Sequence, residues 1–390
     1  MKQCRSEGKR FPASPEHGLY PYAGGQSHGP GNLRLPLHSI CSLSNAYREK
    51  IFPAVLQLLP MRSKPSIEAV AREAGVSIAT VSRVLNGTKP VSAATRERVE
   101  AAVSALDYRV NPFGRSLSTG QSRILLMLMP DFANPYYAEI VRGAAAVSRQ
   151  AGYTLLPADL EAWTGTADAS LPTLLGSLSD GVINLVPMSD QAARREAANG
   201  KPWVNCSEFM PGSDVPYVSI DHRQAATDAV QYLINKGHRR IGFITSDERF
   251  LYARQRREGY DAALLRAGLA PAPELVCVTG DNSYAAGSQA AASLLAVVDP
   301  PSAVFAVSDT LAIGAIKCFS KAGRRVPHDV AVMGFDDVPI ADIFEPGLTT
   351  VAQPMVELGA AAAEMLLALL DGRRPAPRIL QHRLVLRESV

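Results

Sequence analysis

From residue 121 to the C-terminus the chain repeats one unit, a short uninterrupted apolar run followed by an amphipathic segment. The first set comprises Ile124–Met129 followed by 135–150, then 154–156, 181–187, Trp203–Cys206, and Tyr217–Ile220 followed by 222–236. The second comprises Ile241–Thr245, 253–268, 275–278, 284–297, 303–307, 310–322, 330–333 and 355–371. A strand with one wet face alternates apolar and polar residues, whereas a strand covered on both faces is apolar throughout. Continuous runs separated by helices therefore predict an α/β body of parallel sheets covered on both sides, here in two lobes. Open sheets of this kind bind ligands beyond the carboxyl ends of their strands, so two facing lobes predict a cleft between them. Periodicity alone suggests two consecutive doubly wound domains.

A chain of 390 residues exceeds one ordinary core, and two or three folded units are expected. The five cysteines, Cys4, Cys41, Cys206, Cys277 and Cys318, are scattered and contain no C-x-x-C, which fits neither a disulfide framework nor a zinc site. No window approaches 18 uninterrupted apolar residues, and no apolar stretch with a small-residue cleavage site opens the chain. A cytoplasmic, nucleoid-associated protein without a membrane partner is the expectation. Charge is unevenly distributed: residues 1–60 and 61–120 each carry a net +4, and 121–390 a net −5. A basic front end on an acidic body is the asymmetry expected where one end approaches a polyanion. Within 1–60, turn formers cluster at Gly24, Gly25, Ser27, Gly29, Pro30 and Gly31, and the one apolar piece, 51–59, is interrupted by Pro53. That stretch reads as a disordered extension or an upstream start, with the working protein beginning at Met61; the other reading is a basic arm that adds non-specific DNA affinity.

Residues 61–109 carry a different pattern. Ile67, Val70, Ala71 and Ala74 form the i, i+3, i+4, i+7 stripe of a short helix, with Ser66 as its N-cap and Gly75 able to take the positive φ of a helix end. Ser77 offers a second cap before Val81, Val84 and Leu85, and a third helix follows Ser92 with Val99, Ala102, Val103 and Leu106 turned inward. Three helices sharing a small core result. The outward face of the second helix presents Ile78, Ala79, Thr80, Ser82 and Arg83, small or hydroxylated side chains with one long cation. Such a face suits a major groove: apolar groups touch thymine methyls, hydroxyls reach phosphates, and an arginine can engage guanine O6 and N7. The plain alternative is a solvated face on a small bundle.

The run from Val70 to Tyr108 resembles the DNA-binding headpiece of the LacI family of bacterial transcription regulators. V-A-x-x-A-G-V-S-x-x-T-V-S-x-x-L-N stands at Val70 to Asn86, V-S-x-x-T-R at Val91 to Arg96, and Y-x-x-N-P at Tyr108 to Pro112. The resemblance implies that Ser77, Ile78, Ala79 and Arg83 lie near bases and Thr80, Ser82 and Asn86 near phosphates. It also implies that 110–120 is a hinge that becomes helical when two copies meet in the minor groove. Asn111 and Arg115 would then contact DNA, and Leu117 would wedge between base steps.

The same resemblance covers the body and implies a two-lobed periplasmic-binding-protein type I fold in which the chain crosses between lobes three times. The supporting landmarks are Asp131 to Tyr137, Arg256-x-x-Gly259-Tyr260, Ser308-Asp309-x-x-Ala312-x-Gly314, Gly334 to Asp337, and Leu348 to Pro354. Carried over, the effector site comprises Asn134, Tyr136, Tyr137, Ser207, Arg256, Asn282, Asp309 and Phe344. The chemistry is consistent: tyrosines supply flat faces for a sugar or base ring, Asp309 accepts hydroxyl protons, and Arg256 offers a fork of donors. Structural roles compete, with Asp309 capping a helix, Arg256 paired to a carboxylate and the tyrosines filling core. Wider similarity, as in PDFANPYYAEIVRG, VPYVSIDH and KGHRRIGFI, is greatest to the cytidine-responsive branch, which favours a nucleoside. Ser207 followed by Glu208, and Asn282 where relatives carry an aromatic ring, depart from the family pattern.

No G-x-S-x-G, P-loop, G-x-G-x-x-G or H-E-x-x-H occurs, and the seven histidines show no ligand spacing, so no enzyme activity, cofactor or metal is expected. His238, set among Lys236, Arg239 and Arg240, reads as a cationic surface turn. The expectation is a homodimeric repressor, with a tetramer left open, that binds a pseudo-palindromic double-stranded operator and answers to a nucleoside or sugar. A transport solute-binding protein shares the body fold but has no use for the headpiece.

Overall fold

The computed structural model describes residues 65–87, 90–109, 121–159, 178–187 and 201–390. These fall into two compact units divided between Tyr108 and Arg109. The extension read into 1–60 and the hinge read into 110–120 lie outside the described residues.

The first unit contains α1 (Ile67–Glu73), α2 (Ile78–Asn86) and α3 (Ala93–Ala105). Each begins with a serine whose hydroxyl accepts the amide three residues on: Ser66 from Ala69 at 3.4 Å, Ser77 from Thr80 at 3.2 Å and Ser92 from Thr95 at 3.4 Å. A helix start leaves four amides without intrahelical partners, so each such cap contributes about 1 kcal/mol. Gly75, at φ +63°, makes the left-handed turn that lets α2 leave α1 within a few residues. Val70, Val81 and Val99 are fully buried at the meeting point of the three helices, with Ala71, Ala74, Val84 and Ala102 around them.

The second unit holds two six-stranded sheets. The amino-lobe sheet contains β1 (Ile124–Met129), β2 (Thr154–Asp159), β3 (Gly181–Asn184), β4 (Trp203–Cys206), β5 (Tyr217–Ile220) and β11 (Arg378–Leu380) in the order β11-β5-β4-β3-β1-β2, all parallel. The carboxyl-lobe sheet contains β6 (Ile241–Thr245), β7 (Val276–Val278), β8 (Ala303–Ala306), β9 (Ala331–Asp336), β10 (Thr349–Ala352) and β12 (Arg383–Val385) in the order β12-β10-β9-β8-β6-β7. Only β12 runs antiparallel to its neighbour.

Helix α4 (Pro135–Gln150) and the late helix α10 (Met355–Leu370) pack on each other in the amino lobe. In the carboxyl lobe α5 (His222–Asn235) pairs with α6 (Leu251–Arg266), and α7 (Tyr284–Leu295) with α8 (Asp309–Lys321); α9 (Ile340–Ile343) is a single turn. The chain therefore passes between lobes three times, from β5 to β6 through α5, from β10 to β11 through α10, and directly from β11 to β12. Periodicity alone suggested two consecutive domains. The lobes are instead interleaved, as the family resemblance implied.

Apolar runs fill the cores as their continuity requires. In the carboxyl lobe Phe243 stacks on Tyr260 at 4.7 Å and on Phe305 at 5.6 Å between ring centroids, and the Tyr260 hydroxyl donates to the Ile241 carbonyl at 2.7 Å. Strands β10, β11 and β12 were not separately expected. The buried Thr349 and Thr350 of β10 look polar in sequence, but their hydroxyls donate to the Arg387 carbonyl at 3.0 Å and to Asp309 at 2.6 Å. Among the described residues no helix is long and apolar enough to cross a membrane.

The closeness of α4 and α10 depends on two glycines. A Cβ added at Gly143 would lie 1.9 Å from the Val356 carbonyl oxygen, and one at Gly359 would lie 2.0 Å from that of Ile140. Neither obstacle is a side chain that can swing away. Gly359→Ala should therefore force the helices apart and cost about 1–3 kcal/mol, read as a lower urea midpoint; an unchanged midpoint would show that the pair yields without penalty.

Candidate functional site

The first candidate surface is the outer face of α2. Ser77, Ile78, Ala79 and Arg83 are exposed, Ile78 to 46 %, while Thr80 and Ser82 are half-buried. An exposed isoleucine beside small side chains and one guanidinium makes a narrow apolar and cationic stripe, held rigidly by the Ser77 cap. The Ser77 and Thr80 hydroxyls also bond to each other at 2.9 Å. The side chain of Asn86, and all of Asn111, Arg115 and Leu117, lie outside what the structure describes.

The second candidate is a cleft within the body, beyond the carboxyl ends of the strands. Asn134, Tyr136, Tyr137, Leu185, Ser207 and Glu208 line it from the amino lobe. His222, Tyr252, Arg256, Asn282, Ser308 and Asp336 face them from the carboxyl lobe. The space among these side chains is about 20 Å³, room for roughly one water, so the lobes nearly meet at this point, beside an open cavity of about 520 Å³ that shares Glu208. Six of the eight residues expected from sequence are thereby brought together: Asn134, Tyr136, Tyr137, Ser207, Arg256 and Asn282.

Arg256 organises the carboxyl-lobe wall. Its side chain is 4 % exposed and donates to the Val307 carbonyl and, at 3.2 and 3.4 Å, to Nδ1 of His222. It pairs with Asp336 at 3.7 Å, and its guanidinium carbon stands 3.5 Å from the Phe335 ring centroid and 4.8 Å from that of Tyr252. Because Nδ1 accepts, His222 is neutral, and burial followed by the neighbouring cation holds its pKa well below the ordinary value. Burial pushes the Asp336 carboxyl up to about 7 against the opposing pull of Arg256 and a 2.7 Å hydrogen bond from Gln353. The structural role foreseen for Arg256, pairing with a carboxylate, is thus occupied by Asp336.

The tyrosines divide in the same way. Tyr136 and Tyr137 are each 7 % exposed and pack into the amino-lobe core, yet the Tyr136 hydroxyl bonds that of Ser207 at the cleft. Asn134 caps α4, accepting from the Tyr136 amide at 3.0 Å. Tyr252 bonds Ser246 at 2.9 Å and receives Nδ2 of Asn282 at 2.8 Å, while Oδ1 of Asn282 is buried with no partner among the described residues. Ser207 and Asp336 adopt φ of +64° and +119°, values that cost a non-glycine residue energy and that concentrate at binding sites.

Two expected residues stand elsewhere. Asp309 is fully buried as the first residue of α8, capped by Ser308; its oxygens accept from the Val338 amide at 2.9 Å and the Thr350 hydroxyl at 2.6 Å. Its carboxylate ties α8 to the ends of β9 and β10 and does not line the cleft. Phe344, half-buried just past α9, packs on the carboxyl-lobe core instead.

Sequence reasoning noted Glu208 only as a departure and did not assign His222, Tyr252 or Asp336 to the cleft. A signal was present for three of them, since Glu208, His222 and Asp336 are polar residues at or just beyond the carboxyl end of a continuous apolar strand. Glu208 accepts from the amides of Leu251 and Tyr252 at 2.8 and 3.1 Å, and burial lifts its pKa to about 7. Among the described residues no group of three side chains could hold a metal ion.

Residues 66–111 match the model of bacterial regulatory proteins of the lacI family, and 230–390 match a periplasmic binding protein-like domain. The chain is 36 % identical over 327 residues, 83 % of its length and 96 % of the relative's, to the HTH-type transcriptional repressor CytR of Escherichia coli K12. It is 37 % identical over 324 residues to the ribose operon repressor of the same strain, covering 82 % of this chain and 96 % of the relative. Among solved structures, the lac repressor dimer bound to operator and the anti-inducer ONPF aligns with a TM-score of 0.73 at 28 % identity, covering 83 % of this chain and 98 % of that one.

Removing one member of a buried ion pair leaves the other charge uncompensated, at a cost of about 3–5 kcal/mol. Arg256→Met should lower stability by that order at pH 8. The deficit should shrink as pH falls below about 7, because Asp336, already raised there, then takes a proton and ceases to be a buried charge. Urea denaturation at pH 8 and pH 6 checks both parts; a loss equal at the two pH values would show that Asp336 is not the stranded partner.

Proposed function

The chain belongs to the lacI family of bacterial regulatory proteins, and on that premise we propose that it works as a homodimeric repressor of a pseudo-palindromic operator, controlled by a nucleoside or sugar. The observation that carries this reading is the presence in one chain of a capped helix with a small, cationic outer face and a two-lobed body with a buried polar cleft. The first is what a solute-binding transport protein lacks.

Dimerisation is supported by the sheet edges. β2 and β7 are each the outermost strand of their sheet, and Leu156, Val278 and Tyr284 on or beside them are 39, 61 and 42 % exposed. Apolar groups on an open edge strand favour cover by a second copy. Two headpieces would then meet successive major grooves, with Ser77, Ile78, Ala79 and Arg83 at base edges, Thr80, Ser82 and Asn86 at phosphates, and the Asn111–Leu117 hinge in the minor groove between them.

The cleft supports a polyhydroxylated ligand bearing a ring. Arg256 supplies donors, Asp336 and Glu208 supply acceptors, Oδ1 of Asn282 lacks a partner among the described residues, and Tyr136 and Tyr137 supply aromatic surface. A nucleoside uses both the hydroxyl-binding and the ring-binding parts. Since the lobes nearly meet, such a ligand enters only when they part, and it shifts operator affinity by as much as it prefers one lobe arrangement.

Selection of duplexes from a randomised pool by the purified chain, with and without cytidine or ribose, should yield a palindromic consensus whose recovery changes with one ligand. No enrichment at low salt, where phosphate contacts are strongest, would defeat the reading. Arg83→Ala should lose about 1–3 kcal/mol of preference at one base pair per half-site; base preference retained in a competition assay would remove Arg83 from the reading face.

A further inference from the structure

Helix α6 carries Tyr252 and Arg256 into the cleft but brings no cap of its own. Phe250 precedes it and offers no side-chain hydrogen bond, whereas α4, α5, α7 and α8 begin with Asn134, Asp221, Ser283 and Ser308, each accepting an amide of its own helix. The missing acceptor comes from the other lobe. Glu208, two residues beyond β4 of the amino-lobe sheet, takes the Leu251 amide on one carboxylate oxygen at 2.8 Å and the Tyr252 amide on the other at 3.1 Å. Ser207, with its φ of +64°, immediately precedes it, and Glu208 is 4 % exposed.

We propose that Glu208 is a positioning residue that latches the cleft: its carboxylate crosses from the amino lobe to cap α6 of the carboxyl lobe, so that lobe closure and ordering of the helix start are one event. Parting the lobes breaks both hydrogen bonds together. It leaves two amides of the first turn bare, in the turn that sets Tyr252 against Ser246 and Asn282 and precedes Arg256 by one turn. The inference rests on the reading of the cleft as an effector site.

The latch also makes closure respond to protons. Facing Glu208 are Tyr137 of α4 and Tyr252, Arg254 and Arg256 of α6, with Asp336 of β9 lining the same cleft and Arg249 and Asp214 the adjoining surface. The arginines are turned to other partners: Arg254 to the carbonyls of Glu248 and Arg249, Arg249 to Asp247, and Arg256 to Val307, His222 and Asp336. Burial therefore outweighs the two amides and the cations, and the carboxyl rises to about 7 where it lies. Released into water it returns to the ordinary carboxylate range, about 4.3. The closed arrangement thus holds a proton that the open one gives up. Closure gains as pH falls through about 7, gains no more below the open-state value, and is unaffected by this group well above 7. Between pH 8 and pH 6 the closing equilibrium should shift by roughly tenfold.

The test is small-angle scattering of the whole chain, alone and with cytidine, together with calorimetric cytidine binding at pH 6, 7 and 8, on wild type, Glu208→Gln and Glu208→Ala. Circular dichroism establishes that each variant is folded. Wild type should be more compact at pH 6 than at pH 8 and, because the ligand has to part the latched lobes, bind cytidine about tenfold more weakly there. Glu208→Gln, uncharged but still able to accept one amide, should lose that pH slope while remaining compact. Glu208→Ala should be more open at every pH. A wild-type slope retained in Glu208→Gln, or wild-type scattering from Glu208→Ala, would overturn the latch. Absence of cytidine binding would count against the nucleoside reading alone, because scattering of the unliganded chain decides the latch without it.

Discussion

A guanidinium taken out of water has to find acceptors from wherever the fold can bring them, and Arg256 finds them on three separate elements. The Val307 carbonyl lies just past β8, Nδ1 of His222 opens α5, and Asp336 closes β9. The ring of Phe335 lies against the guanidinium at 3.5 Å, where an aromatic quadrupole partly replaces lost hydration. A buried pair of this kind contributes little net stability compared with an apolar replacement of equal volume. It does specify where each partner must stand, because any other arrangement leaves a charge or a lone pair unsatisfied. The carboxyl-lobe wall of the cleft is set by that requirement, and His222, neutral because it must accept, is part of it.

The opposite wall is held differently. On the amino-lobe side Tyr136, Tyr137 and Leu185 belong to the apolar core, and polar contact with the cleft passes through Ser207, Asn134 and Glu208. One wall is therefore anchored by charge and the other by packing, and the α4–α10 pair beneath the second admits no extra methyl at Gly143 or Gly359. Two stiff bodies joined by three chain crossings can change their separation more easily than their interiors. Relative motion of the lobes is then the soft coordinate, and the residues that sense it are those whose partners lie across the cleft.

Local features were legible because their causes are local. Ser66, Ser77 and Ser92 read as caps since each helix start needs an acceptor within three residues, and β1 reads as a buried strand since nothing polar interrupts it, with β4, β5 and β6 following because their runs are mostly apolar. The order of crossings was not contained in periodicity, and only resemblance to a family supplied it. Asp309, read both as a ligand acceptor and as a helix cap, shows the same limit. An aspartate at a helix start looks available, but its partners Val338 and Thr350 lie 29 and 41 residues further on. β10 was hidden by the same pairing, seen from Thr350. Glu208 stood out only as a departure from the family pattern, because the helix it caps begins 43 residues later.

These long-range pairings bear on how a ligand can act. An effector entering between the lobes has to displace contacts already made there, among them the two amide bonds of Glu208, and its net effect is the difference between those it breaks and those it makes. Oδ1 of Asn282 is buried with no partner among the described residues, and Ser207 and Asp336 hold costly backbone angles, so the cleft retains unsatisfied and strained elements that a bound molecule can relieve. Relief of this kind counts toward coupling only if it differs between lobe arrangements. Couplings between distant sites are typically about 1–3 kcal/mol, the scale of one or two hydrogen bonds to charged groups. Glu208, with two such bonds made across the gap and none within its own lobe among the described residues, is therefore large enough to matter to the whole response.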